Sequence, residues 1–309
     1  MESAPPVLVI HGVATRDREE FEGDVAALAR AAGTGHRFIP VFWGDLGAHT
    51  EAVDAVLPYE SWRSDGRDRF AELIQEPAEE PVLAALQRAA KDKDPDLLLR
   101  AVAEGWKRYS TASRRAMIGA MYGLFRDRYL FASAEFIGDL LVYERRRAEI
   151  QAHVWQVIMR EAPGYGLPER PISAIAHSLG GVILFDMAVA GQPALHLDHF
   201  VTCGSQPSFF HVIGGTPPPL APYRKGHPTT LPTTIGDWTN FFVPLDLWAF
   251  IAAPVFRLHS GGRPEDIEVH AERRADRLFK HAARYYWTHP VVAEGLRKAL
   301  GALAEGPAG

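Results

Sequence analysis

The sequence has little that would tie it to an oxidising compartment, a membrane or a nucleic acid. Cys203 is its one cysteine in 309 residues, which excludes an intramolecular disulfide and a cysteine-based zinc site. A reducing compartment is therefore permitted, and a cytoplasmic setting is expected. The opening residues 1–6 lack a basic region, and the apolar run Val7 to Ile10 is too short for a signal peptide. The most apolar later stretch, Leu245 to Phe256, is broken by Asp246 and Pro254 and falls short of a transmembrane segment, so any membrane contact is expected to be peripheral. No excess of positive charge exists either: the net charge of -5 argues against a dedicated nucleic-acid binder. Internal repeats are lacking, and 47% hydrophobic with 23% charged residues is the composition of an ordinary globular protein.

What is present centres on Ala176-His177-Ser178-Leu179-Gly180-Gly181. A small residue stands two before the serine and glycines two and three after it, the spacing of a strand-to-helix turn that holds a nucleophile. Pro171 to Ile175 has strand composition before it, and Val182 to Val189 is apolar and long enough for a helix after it. Such a turn also aims the N-terminus of the helix at the reacting centre, where backbone N–H groups stabilise developing negative charge.

Around this motif the pattern alternates between strands and helices. Val7 to Ile10 reads as a buried parallel strand ending at His11-Gly12. Ligands in α/β sheets lie at the carboxyl ends of strands, so His11 and Gly12 are expected to line the site and the N–H of Val13 to face an oxyanion. Glu20 to Ala31 has helical spacing with Gly33 as its stop, and Arg37 to Trp43 reads as a second strand, edge-like because of Pro40. From Leu46 to Phe131 strand-like runs vanish and helical segments separated by prolines take over. A helical, cap-like insertion at 46–131 within a single domain of 1–309 is the economical account, and Met117, Met121, Phe125 and Tyr129 give it an apolar stripe. Asp139 to Arg160 continues as an amphipathic helix, whose Arg145-Arg146-Arg147 run reads as a solvated face. His199 to Cys203 is the next strand, residues 212–236 a long Pro-rich loop, Trp238 to Val243 a further strand, Ile267 to His270 a last strand, and Pro290 to Leu303 a closing helix.

A serine hydroxyl is a weak nucleophile that needs a neutral imidazole to take its proton and a carboxylate to orient that imidazole. In hydrolases of this architecture the order is serine, acid, histidine. Among the acids after Ser178, Asp198 and Asp237 precede strands, Asp186 lies within the helix, and Asp266 competes less well than Asp246, which follows a strand. For the base, His259 comes too early; His281 ranks first, then His270, then His289.

These residues make the chain resemble an α/β-hydrolase fold serine hydrolase of the lipase and esterase branch that includes GPI-inositol-deacylase-like proteins. The likeness rests on His11-Gly12-Val13, on Ile175 to Gly181, on Cys203-Gly204-Ser205, on Asn240 to Asp246, and more loosely on His281 with Tyr286-Trp287. Ala176 stands where glycine is commonest, and Gln206 interrupts the usual glycine-serine-proline turn. The resemblance implies a mostly parallel sheet flanked by helices, with Ser178 as nucleophile, Asp246 as acid, His281 as base, and the amides of Val13 and Leu179 as oxyanion donors. His11, Gly12 and His177 are expected at the substrate. No metal or organic cofactor is required. Ester hydrolysis on a lipid or other hydrophobic acyl substrate is the first expectation. A thioesterase or arylesterase on small soluble substrates, or a non-catalytic hydrolase-like binding module, are the alternatives.

Overall fold

The computed structural model describes residues 4–49, 111–244, 246–270 and 281–301, with side chains from 134 onward in the helix that begins at 111. The chain divides into two compact units, 1–47 with 139–309, and 48–138. Of the second unit, only 48–49, the helical backbone of 111–138 and the side chains of 134–138 are described. The insertion expected at 46–131 and its stripe of Met117, Met121, Phe125 and Tyr129 therefore fall outside what is described, apart from that backbone. Leu46 itself belongs to the first unit, in a 3₁₀ turn at Gly44–Leu46.

The first unit is built on a six-stranded sheet. Its strands are β1 (Val7–Ile10), β2 (Phe38–Val41), β3 (Ile172–His177), β4 (Leu197–Cys203), β6 (Ile235–Phe242) and β8 (Glu265–Glu268). They lie in the order β2-β1-β3-β4-β6-β8, and every pairing is parallel. Two short strands, β5 (Thr229–Thr230) and β7 (Phe256–Arg257), pair separately.

Parallel sheets need cover on both faces, and alternate residues of β1 show how it is supplied. Leu8 and Ile10 join Tyr143, Ile150, Val154, Ile183 and Leu184 in one apolar cluster. Val7 and Val9 join Phe21, Val25, Leu28, Val292 and Leu296 in the other. The first cluster comes from the 139–161 part of α2 (Thr111–Glu161) and from α3 (Leu179–Ala190). The second comes from α1 (Arg18–Ala32) and the C-terminal helix α6 (Pro290–Leu300). Between α3 and α6 lie the short helices α4 (Pro207–Val212) and α5 (Ala283–Trp287).

Local chemistry sets the ends of these elements. Asp17 caps α1 by accepting from the Glu20 N–H at 2.9 Å, and Gly33 closes it at φ 60°. Pro40 sits on the edge strand β2, where a missing N–H costs no ladder bond. β8 begins two residues before the expected Ile267 and pairs Thr239–Phe242 with Glu265–Glu268. It is the other edge, and its exposed Glu265 and Glu268 suit a strand with one neighbour.

Chain direction reverses beside β1, because the chain runs from β1 outward to β2 and then returns to β3 on the other side. Ligands of open α/β sheets bind at such a switch point, outside the carboxyl ends of the strands. His11-Gly12 follows β1 and Ser178 follows β3, so both lie there.

Candidate active site

Ser178 occupies the single residue between β3 and α3. Its backbone stands at φ 53° and ψ -128°, a region costly for any residue with a Cβ. The surroundings over-determine it. Its N–H donates to the Cys203 carbonyl at 3.1 Å, and its carbonyl accepts from the Gly181 N–H at 3.0 Å and from Ser205 Oγ at 2.6 Å. Neighbouring backbone must come very close: a Cβ on Gly12 would lie 2.4 Å from Ser178 Cβ, and one on Gly181 would lie 2.1 Å from Ser205 Oγ. Only glycine fits at either position.

The three residues of the expected constellation are brought together, although they are far apart in sequence. Ser178 Oγ lies 2.7 Å from His281 Nε2. The other ring nitrogen, Nδ1, lies 3.0 and 2.9 Å from the two oxygens of Asp246. A carboxylate accepts only, so Nδ1 carries the proton and Nε2 accepts from the serine. The Asp246 side chain is fully buried and that of His281 is 20% exposed. Asp246 presents its carboxylate just beyond β6, and two further donors hold it: the Trp248 N–H on Oδ1 at 2.9 Å and the Tyr286 hydroxyl on Oδ2 at 2.8 Å. Tyr286 in turn accepts from the Val243 N–H at 3.2 Å. Burial, with the charge of Asp246 next, pushes the Tyr286 hydroxyl well above the ordinary tyrosine range, so it remains a donor at neutral pH.

The rival histidines are occupied elsewhere. His270 is 77% exposed and lies 3.0 Å from Glu268. His289 caps α6 by accepting from the Val291 N–H and donates from Nε2 to the His270 carbonyl at 3.1 Å. Among the rival acids, Asp186 is buried in α3, where it accepts from the Tyr143 hydroxyl at 2.8 Å. Asp266 accepts from the Ala252 and Ala253 N–H groups and from Asn240.

Leu179 is the first residue of α3, so its N–H is one that a helix leaves without an internal partner. Among the described residues, neither it nor the Val13 N–H meets an acceptor. These are the two amides expected to face an oxyanion.

Of the residues expected at the substrate, the His11 and His177 side chains are buried. His11 is buried; its Nε2 accepts from the Trp43 N–H at 3.0 Å, its Nδ1 lies 2.7 Å from the Gly12 carbonyl, and its ring stacks on Trp43. Burial lowers its pKa to about 3, and no nitrogen is left for a substrate. His177 is also buried, with its ring centroid 4.9 Å from that of His281. Burial first, then the neighbouring His281, hold its pKa well below the ordinary histidine range, so it is a neutral wall behind His281. Gly12 packs on the serine. Cys203 is buried beside the site, and burial pushes its thiol pKa up.

Tyr286, Ser205 and Trp43 hydrogen-bond to Asp246, Ser178 and His11, and the sequence assigned them no such contact. Only Tyr286, five residues after His281, stood close enough to a candidate to invite one. Among the described residues no group of three or more His, Cys, Asp or Glu forms a metal site, and no helix is long and apolar enough to cross a membrane. No protein-family model, curated protein or solved structure matches this chain.

Proposed function

We propose that this chain is a serine hydrolase of the α/β-hydrolase fold that cleaves a carboxylic ester of a lipid or another hydrophobic acyl substrate. The observation that carries the reading is the hydrogen-bonded series Ser178, His281, Asp246 with the serine held at φ 53°. Structural ion pairs between histidine and aspartate are common; a strained serine at the third position adds support for use of its hydroxyl.

In the proposed reaction His281 Nε2 takes the Ser178 proton as Oγ attacks the ester carbonyl. The oxygen of the tetrahedral intermediate receives hydrogen bonds from Val13 and Leu179, and the imidazolium faces the buried Asp246. His281 then gives the proton to the departing alcohol as the carbon–oxygen bond breaks, leaving an acyl-serine. Water enters, loses its proton to His281, and attacks the acyl carbonyl; the proton returns to Ser178 as the acid leaves.

Support for an apolar substrate comes from the segment that follows Asp246. Leu247 is 63% and Ile251 44% exposed, and Phe250 stacks on Phe209 with centroids 4.6 Å apart. Beyond Phe209, Val212 and Ile213 are also exposed. A cytoplasmic location belongs to this proposal, consistent with a single buried thiol. The test is turnover of p-nitrophenyl esters of increasing acyl length by the wild type and Ser178→Ala. Turnover that rises with acyl length and is lost in the variant is expected; equal turnover by both proteins would refute the reading.

A further inference from the structure

Two residues other than glycine stand at positive φ among those described: Ser178 at 53° and Ala14 at 59°. The first is explained by the nucleophile. The second immediately follows Val13, and its strain has a specific counterweight. The Ala14 N–H donates to Asp139 Oδ2 at 2.8 Å. Arg16, two residues further on, grips the same carboxylate from both sides, with Nη1 3.1 Å from Oδ2 and Nη2 2.6 Å from Oδ1. Asp139 is on α2 and its side chain is fully buried, while Arg16 is 36% exposed.

We propose that Asp139 is a positioning residue for the oxyanion loop: its buried carboxylate holds Ala14 in the left-handed conformation and thereby fixes Val13. This rests on the serine hydrolase reading above. A buried carboxylate demands charge-assisted donors, and here backbone and guanidinium of one short loop supply three. Alanine at positive φ relaxes to negative φ unless its surroundings forbid it. With the Val13–Ala14 peptide pinned by Asp139 and Gly12 packed against Ser178, Val13 has no freedom on either side. Its N–H is then aimed before the substrate arrives, which is what oxyanion stabilisation requires.

The test is Asp139→Asn, assayed on a p-nitrophenyl ester and with a trifluoromethyl ketone as transition-state analogue. We expect kcat to fall about 10- to 100-fold, less than the loss of a whole oxyanion donor, with KM little changed. The inhibition constant of the ketone rises by the same factor as kcat/KM falls. Adding Ala14→Gly to Asp139→Asn restores part of kcat, because glycine adopts positive φ without being held. A carboxylate that merely stabilises α2 would give no such recovery. Should Asp139→Asn fail to fold, Ala14→Val replaces it: residue 14 is exposed, Asp139 and Arg16 stay intact, and the same backbone is loaded with a β-branched residue. The same kcat-specific loss is expected. A folded Asp139→Asn or Ala14→Val with wild-type kcat overturns the proposal while leaving the hydrolase reading standing. A wild type without Ser178-dependent turnover removes both.

Discussion

Asp186, on the helix that follows Ser178, links stability to pH with a sign that the structure determines. Its carboxyl is buried and accepts from Tyr143, with Arg147 Nε 3.6 Å away. Burial outweighs the attraction of Arg147 and the hydrogen bond of Tyr143, and raises the pKa from 3.8 to about 7. The unfolded chain loses this proton near its ordinary value, while the folded chain keeps it until about pH 7. Between these limits the folded state binds more protons, so rising pH removes stability. At about 1.4 kcal/mol per pH unit, the loss accumulates to about 4 kcal/mol and then levels off. Asp186→Asn cannot ionise and keeps an acceptor for Tyr143. Urea unfolding followed by tryptophan fluorescence, at a series of pH values, gives the stability difference between the variant and the wild type. His11 and His177, whose lowered pKa values make stability rise with pH, are common to both proteins and cancel. The difference should climb by about 3 to 4 kcal/mol in favour of the variant from pH 4 to 7, and stay level above it. A flat difference over that range would refute the reasoning.

Tyr286→Phe removes a donor from Asp246 and an acceptor from Val243; urea unfolding should show a loss of about 1–3 kcal/mol, and turnover should fall about tenfold as the acid loses one of its restraints. Gly12→Ala places a Cβ into Ser178, and ester turnover should fall about 100-fold or more as the serine is displaced. Among the histidines, His281→Ala should lower kcat by about 10⁴-fold or more. His270→Ala should keep wild-type turnover, and His289→Ala should keep turnover while losing about 1 kcal/mol of stability with its helix cap.

Much of the sheet was legible because buried parallel strands are short apolar runs. Val7–Ile10 and the strand before Ser178 are of this kind, and Ser178 itself announced a turn that only small neighbours permit. Asp246 was legible for a topological reason, since it follows a strand and its rivals precede one or sit in a helix. His281 was legible from its place beyond the last strand and close to Tyr285-Tyr286-Trp287. Its distinction from His270 and His289 needed geometry: an exposed contact with Glu268 and a helix cap leave no local pattern. The surroundings of His11 were hidden for a similar cause. The group that saturates its Nε2 is the backbone of Trp43, thirty-two residues away, brought there by β2 pairing with β1. Asp139 was visible only as the start of an amphipathic helix, because its partners, Ala14 and Arg16, meet it through tertiary structure. The charged edge strand β8 was displaced by two residues, since alternation at an exposed edge marks no single register.

Covalent labelling tests the central claim most directly. The wild type, incubated with a fluorophosphonate and digested, should yield one modified peptide with the adduct on Ser178 Oγ, and Ser178→Ala or His281→Ala should take up none. A folded wild type that remains unmodified, or an adduct carried by another residue while Ser178 stays free, would contradict the account.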